Sequence, residues 1–154
     1  GILRAEQVRR VVLVSVPVFN AEEREAFNGK GSQALPAEDG AHLLSEWQRQ
    51  LQARGAGVTL EECTAALAER LQSGAAGAWG TGAAYTYAAN ERLPLLRQPT
   101  LILRPKDEFW EAGQRARHLV RGARLIDLAE HGSSVFAAAP DLIARHAREF
   151  LNAS

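Results

Sequence analysis

The strongest hydrophobic run in the chain is Val11 to Phe19, VVLVSVPVF. It is rich in β-branched residues and lacks the in–out alternation of a half-solvated strand. That pattern predicts a parallel strand buried on both faces, with Pro17 marking its exit. A second apolar run, Leu101 to Leu103, lies between Pro99 and Pro105. Proline cannot donate to a ladder, so the pair brackets a short strand over Thr100 to Arg104. A third run spans Arg124 to Leu128. Between the second and third, a helical pattern runs from Phe109 to Arg121 and stops at Gly122. The last helix opens at Pro140-Asp141, proline at its first position and an acid beside it. Its apolar face is Ile143, Ala147, Phe150 and Leu151. Apolar runs joined by helices predict an α/β fold with three parallel strands in one sheet.

The chain between the first two strands has a different rhythm. Residues 2 to 10 read as the end of a helix or a basic connector closing at Arg9-Arg10. Residues 20 to 40 are polar and glycine-rich, including Asn28-Gly29-Lys30-Gly31-Ser32. They read as a loop around one helical turn at Glu22 to Phe27. His42 to Ala53 predicts a helix with Leu43, Leu44, Trp47 and Leu51 on one face, stopped by Gly55. Thr59-Leu60-Glu61-Glu62 is a capping box. The helix it opens carries Leu60, Cys63, Leu67 and Leu71 on one face and ends at Gly74. Gly74 to Gly82 reads as flexible, and Ala83 to Arg92 as a third, alanine-rich helix.

Composition narrows the function classes. The 154 residues suffice for one domain with a real core. Lys+Arg and Asp+Glu both total 18, so the net charge is zero and no basic footprint for nucleic acid exists. No apolar run approaches the roughly eighteen residues of a membrane span. The N-terminus is not a signal peptide, and Ala5 breaks the myristoylation pattern. A single cysteine excludes an internal disulfide and fits a reducing, cytoplasmic compartment. The chain contains no Met, which fits a chain that has lost its beginning.

Cofactor motifs are missing. Gly80-Thr81-Gly82 would need a third glycine at Tyr85, and neither a phosphate-binding loop nor an H-E-x-x-H pair occurs. His118 and His146 sit in helical patterns among arginines, as on solvated faces. No cofactor or metal is expected. Cys63, on an apolar helix face, reads as packing. Trp79, Tyr85 and Tyr87 read as core or as the lining of a pocket.

The order of elements from Arg97 to Leu151 is strand, acidic turn Lys106-Asp107-Glu108, helix, strand, polar turn Glu130-His131-Gly132-Ser133-Ser134, helix. It resembles the C-terminal end of an α/β-hydrolase. Glu91-Arg92-Leu93-Pro94-Leu95-Leu96 resembles the segment returning from such an enzyme's cap to its sheet. The resemblance implies a partial α/β-hydrolase: three parallel strands, flanking helices and a helical cap insertion. Residues 1–37 and 96–154 would form the sheet part, and residues 38–95 the cap.

The resemblance places Asp107 at the acid of a Ser-Asp-His triad, where it would orient a histidine. Read from pattern alone, Asp107 is more often a turn or capping aspartate, and the resemblance reverses that balance. His131 is the histidine in the right region. The family's usual position, seven residues before the proline of the last helix, holds Ser133 here. No serine has the G-x-S-x-G elbow. Ser15 has Leu13 and Pro17 at the outer positions, and Ser133 has His131 where the first glycine belongs. The family's order of nucleophile, acid, histidine puts nucleophile and oxyanion loop before Val11.

Two functions follow. One is the C-terminal part of an ester- or C–X-type hydrolase, inactive alone, that meets its small-molecule substrate once an N-terminal half completes it. The other is a non-catalytic binding or interaction module in which Ser133 replaces the base. In either case the uncharged Val11–Phe19 edge is expected to recruit a second copy or the missing half.

Overall fold

The computed structural model describes residues 1–27 and 36–153. Strands β1 (Val11–Val14), β2 (Thr100–Pro105) and β3 (Arg124–Leu128) form one sheet in the order β1-β2-β3. Both pairs are parallel, with Leu13 beside Ile102 and Ile102 beside Leu125. β1 stops at Val14 instead of running to Phe19. The reason is Ser15, whose φ of 53° turns the backbone out of the extended region. Val18 and Phe19 are buried all the same, as loop residues.

Side chains alternate across the sheet and build two cores. Leu13, Ile102 and Leu125 face one side, where they meet Ala116, Val120 and Leu93. Val12, Val14, Leu101, Leu103 and Ile126 face the other, where Val135, Ile143 and Phe150 cover them. The first side is backed by α6 (Trp110–Leu119), the second by α7 (Val135–Ala138) and α8 (Pro140–Asn152). α8 opens with proline at its start, as the sequence predicts. α6 is a residue or two shorter at each end than its pattern, and Gly122 closes the turn beyond it with φ 70°. Leu101 and Leu103 are sealed from solvent; each such leucine contributes roughly 2 kcal/mol. β1, in contrast, is only half-buried along its whole length.

One charge lies inside β2. Arg104 is buried, stacks 3.8 Å from the centroid of the Trp110 ring, and donates to both carboxylate oxygens of Asp127 at 2.7 and 2.9 Å. A further bond to the Trp110 carbonyl, at 3.0 Å, completes the guanidinium's cage. A buried cation needs this pairing. The same contact holds the Asp127 carboxyl below its ordinary range. Gly113 of α6 is close-packed on this arginine: a Cβ there would sit 3.3 Å from Arg104 Cδ.

Helices α1 (Ala21–Phe27), α2 (Ala41–Ala53), α3 (Leu60–Ser73), α4 (Trp79–Thr86) and α5 (Ala89–Arg92) lie between β1 and β2. The capping box of α3 forms in full: Thr59 Oγ1 accepts from the Glu62 N–H, and Glu62 accepts from the Thr59 N–H at 2.7 Å. The helical stretch expected at Glu22 to Phe27 is present as α1, which starts one residue earlier on an Asn20–Glu23 reciprocal cap. The Asn28–Ser32 stretch lies outside the described residues. Several expectations need correction. Leu43, Leu44 and Leu51 of α2 are exposed, not core. The residue α2 buries is Glu46, which accepts from Arg49 at 2.8 Å and from Arg70 of α3 at 2.5 Å. Gly74–Gly82 is not a flexible stretch but a 3-10 turn, Gly74–Ala78, leading into α4. Ala83–Arg92 is not one helix: Tyr87 turns extended, with ψ 124°, and divides α4 from α5. Among the described residues no helix is long and apolar enough to cross a membrane.

Candidate functional site

Open parallel sheets place chemistry beyond the carboxyl ends of their strands. Here three side chains of interest leave that end: Ser15 after β1, Asp107 after β2 and His131 after β3. Asp107 sits two residues past the last β2 residue, in a turn that its own carbonyl closes by accepting from the Trp110 N–H at 3.1 Å. Its carboxylate is held at both oxygens. Oδ1 accepts from the Phe109 N–H at 2.9 Å, and Oδ2 accepts from the Ser15 hydroxyl. The aspartate thus serves as a turn residue and still presents an oriented, half-buried carboxylate.

Sequence reasoning weighed Ser15 only as a nucleophile and missed this role. Ser15 is the one non-glycine residue with positive φ among those described. Its N–H still bonds to the Leu103 carbonyl at 3.1 Å, so the strain begins right where β1 lets go of β2. A non-glycine residue in that region costs about 1–2 kcal/mol and persists where its surroundings hold it. Here the Ser15 N–H is fixed to Leu103 and its hydroxyl to Asp107.

The His131 loop meets the acid turn through its backbone. The Lys106 N–H donates to the His131 carbonyl at 2.6 Å, and the His131 N–H closes a tight turn onto Leu128 at 3.0 Å. The His131 ring is half-buried, and no described residue hydrogen-bonds to it. The structure therefore brings the two loops together without joining the two side chains. Ser133, where the resemblance would put a histidine, points elsewhere. Its hydroxyl and that of Ser134 both donate to the Ala53 carbonyl at the end of α2, at 3.4 Å.

An aromatic cluster stands over the acid turn. Phe19, Tyr85 and Phe109 pack with ring centroids 5.5 Å (Phe19–Tyr85), 5.7 Å (Phe19–Phe109) and 6.4 Å (Tyr85–Phe109) apart. Edge-to-face geometry at this spacing is the favoured one for such rings. Tyr85 of α4 therefore belongs to a packed cluster. Burial, and secondarily the Glu108 carboxylate, pushes its phenol above the ordinary value. Trp79 is exposed and lies outside this cluster. Cys63 is buried. Among the described residues no three metal-ligating side chains come together.

No family profile matches the chain, and no curated protein does. Solved structures do. A bromoperoxidase from Bacillus anthracis superposes with a TM-score of 0.72 at 13% identity, over 94% of this chain and 58% of its own. An esterase from Rhodococcus sp. gives 0.69 at 18%, over 95% and 56%. An enol-lactonase from Burkholderia xenovorans gives 0.63 at 15%, over 99% and 61%. The chain thus carries an α/β-hydrolase fold and spans about three fifths of the length of the structures it matches.

Proposed function

We propose that this chain is the acid- and histidine-bearing part of an α/β-hydrolase that cleaves an ester or related bond. The observation that carries the reading is Asp107. It leaves the central strand at its carboxyl end, with its carboxylate fixed by Ser15 and by the Phe109 N–H, against the His131 loop. In this role Asp107 orients His131 and stabilises its imidazolium, while His131 takes the proton of a serine nucleophile. The imidazole must rotate toward Asp107 for this; in free enzymes such bonds are often unformed until substrate is bound. The nucleophile and the oxyanion donors come from sequence before Val11. Helices α2 to α5 serve as the cap over the sheet end, with the Phe19–Tyr85–Phe109 cluster between cap and acid turn. The substrate is a small molecule.

Two measurements test this. The 154-residue chain alone should hydrolyse p-nitrophenyl acetate no faster than its Asp107→Ala variant. Joined to an upstream sequence carrying a G-x-S-x-G elbow, it should hydrolyse the ester, and Asp107→Ala or His131→Ala should each lower kcat by at least about a hundredfold. Full activity surviving both substitutions would defeat the assignment.

A second reading is a non-catalytic module. It is favoured by Ser133, which spends its hydroxyl on the Ala53 carbonyl, and by the unbonded His131 ring. An upstream sequence without an elbow decides for it.

A further inference from the structure

Arg104 is the one charge within β2, and it lies inside the fold. A buried ion pair adds little over apolar residues of the same size. Stability alone therefore does not account for a guanidinium in the middle strand of the sheet. Its contacts give another account. In the parallel register Arg104 stands directly beside Asp127 of β3. Its fork donates to both oxygens of that carboxylate, at 2.7 and 2.9 Å. Two bonds between planar groups fix slide and twist together, which a single point charge does not. The third bond goes to the Trp110 carbonyl at 3.0 Å, and the Trp110 ring lies over the guanidinium. α6 leaves room for this at Gly113, where a Cβ would press on Arg104.

These partners sit at the roots of two loops. Asp107 follows Arg104 by three residues, and Trp110 opens α6 just beyond the acid turn. Arg104 thus ties the entry of that turn to its exit. His131 follows Asp127 by four residues. Between them the chain leaves β3 at Leu128, and the His131 N–H bonds back to the Leu128 carbonyl at 3.0 Å. The Lys106 N–H closes the circuit by donating to the His131 carbonyl at 2.6 Å.

We propose that Arg104 is the positioning residue of the site: through Asp127 and Trp110 it sets the acid turn and the histidine loop in a fixed relation to each other. That these loops carry a catalytic acid and base rests on the hydrolase reading; that Arg104 holds them does not. The role is one of shape, since the Asp127 carboxylate matches the guanidinium's charge.

Hydrogen exchange of the 154-residue chain, read amide by amide by NMR, tests this. Four amides report on the loops. Phe109 and Trp110 bond to Asp107, Lys106 bonds to His131, and His131 bonds to Leu128. Arg104→Lys keeps the charge and loses the fork. It should lower the protection of all four about tenfold or more, as expected for lost charged bonds, while the amides of β1 and β2 keep theirs. Asp127→Asn, at a partly exposed side chain, should loosen Lys106 and His131 and spare Phe109 and Trp110. It decides the matter if Arg104→Lys does not fold. Unchanged protection at Lys106 and His131 in either variant overturns the proposal. So does an even loss throughout the sheet, which is what a merely structural pair gives. In the chain joined to an elbow-bearing upstream sequence, Arg104→Lys should lower kcat about tenfold at unchanged KM. Activity lost in Asp107→Ala and kept in Arg104→Lys overturns the positioning role, whereas activity kept in both defeats the hydrolase reading instead.

Discussion

Ser15 shows how one residue joins strain to site geometry. Its backbone is held at φ 53° and its hydroxyl donates to Asp107. The two effects separate by substitution. Ser15→Ala keeps the strain and loses the bond, and should cost about 1–2 kcal/mol, the worth of a half-buried bond to a carboxylate. Ser15→Gly loses the same bond but relieves the backbone, and should be about 1 kcal/mol more stable than Ser15→Ala. Urea titration of the two variants gives the difference directly. If alanine proves the more stable, the backbone is not strained at Ser15. At this scale the sequence discloses half of the site. Asp107 stands out through the family resemblance, since pattern alone favours the turn role that it also has. Ser15 does not, because its partner lies 92 positions away and no local pattern encodes a contact of that range. The Ser133 hydroxyl, given to Ala53, is hidden for the same reason.

Elements were legible in proportion to how much of their burial is local. β2 is readable because a continuous apolar run between turn signals has one structural use, and β3 from the apolar residues Leu125, Ile126 and Leu128 after the Gly122 stop. The end of β1 was not, since hydropathy continues smoothly through Ser15 while the backbone does not. α3 could be placed from its capping box, which is complete within four residues. α2 was found, but its leucine stripe misled. Periodicity reports that a helix has an apolar face, not that anything covers it. What packs α2 onto α3 is polar: Glu46, with no exposed surface, held by Arg70 and Arg49. Removing Arg70 leaves the buried Glu46 carboxylate with Arg49 on one oxygen and no Arg70 on the other, so Arg70→Ala should cost about 2 kcal/mol. Hydrogen exchange should show the loss concentrated in α2 and α3, with the amides of β2 unaffected. Uniform loss across the chain would mean that the two helices do not open as a separate unit.

Across the whole molecule, α1 is tied to α6 electrostatically. Arg115 of α6 donates to Glu23 of α1 at 2.6 Å and to the Val18 carbonyl at 2.7 Å. The guanidinium's bond, aided by the Asn20 N–H, draws the Glu23 carboxyl from 4.5 down to about 2. A lowered folded-state value stabilises the protein above the unfolded value. That contribution is complete above about pH 4.5 and drains away as pH falls toward about 2. Arg115→Gln should therefore flatten the acid limb of a Tm-against-pH curve in that window. An acid limb of unchanged slope would show that the pair contributes nothing; both side chains are about a third exposed, so the effect is modest.

Arg9 and Arg10 stand just ahead of β1 and reach the far end of α8. Arg9 donates to the Leu151 carbonyl at 2.9 Å, Arg10 donates to the Ala153 carbonyl, and Arg10 lies over the Phe150 ring. These bonds supply partners for carbonyls that a helix end leaves bare. They also join residues 142 and 143 positions apart. On a ribosome, the first of these residues leaves the exit tunnel long before the last is made. β1 must wait, the two arginines ahead of it idle, for α8 to emerge. A nascent chain stalled before Leu151 should be cut readily by protease near Arg9 and Arg10, and the same sites should close once α8 has left the tunnel.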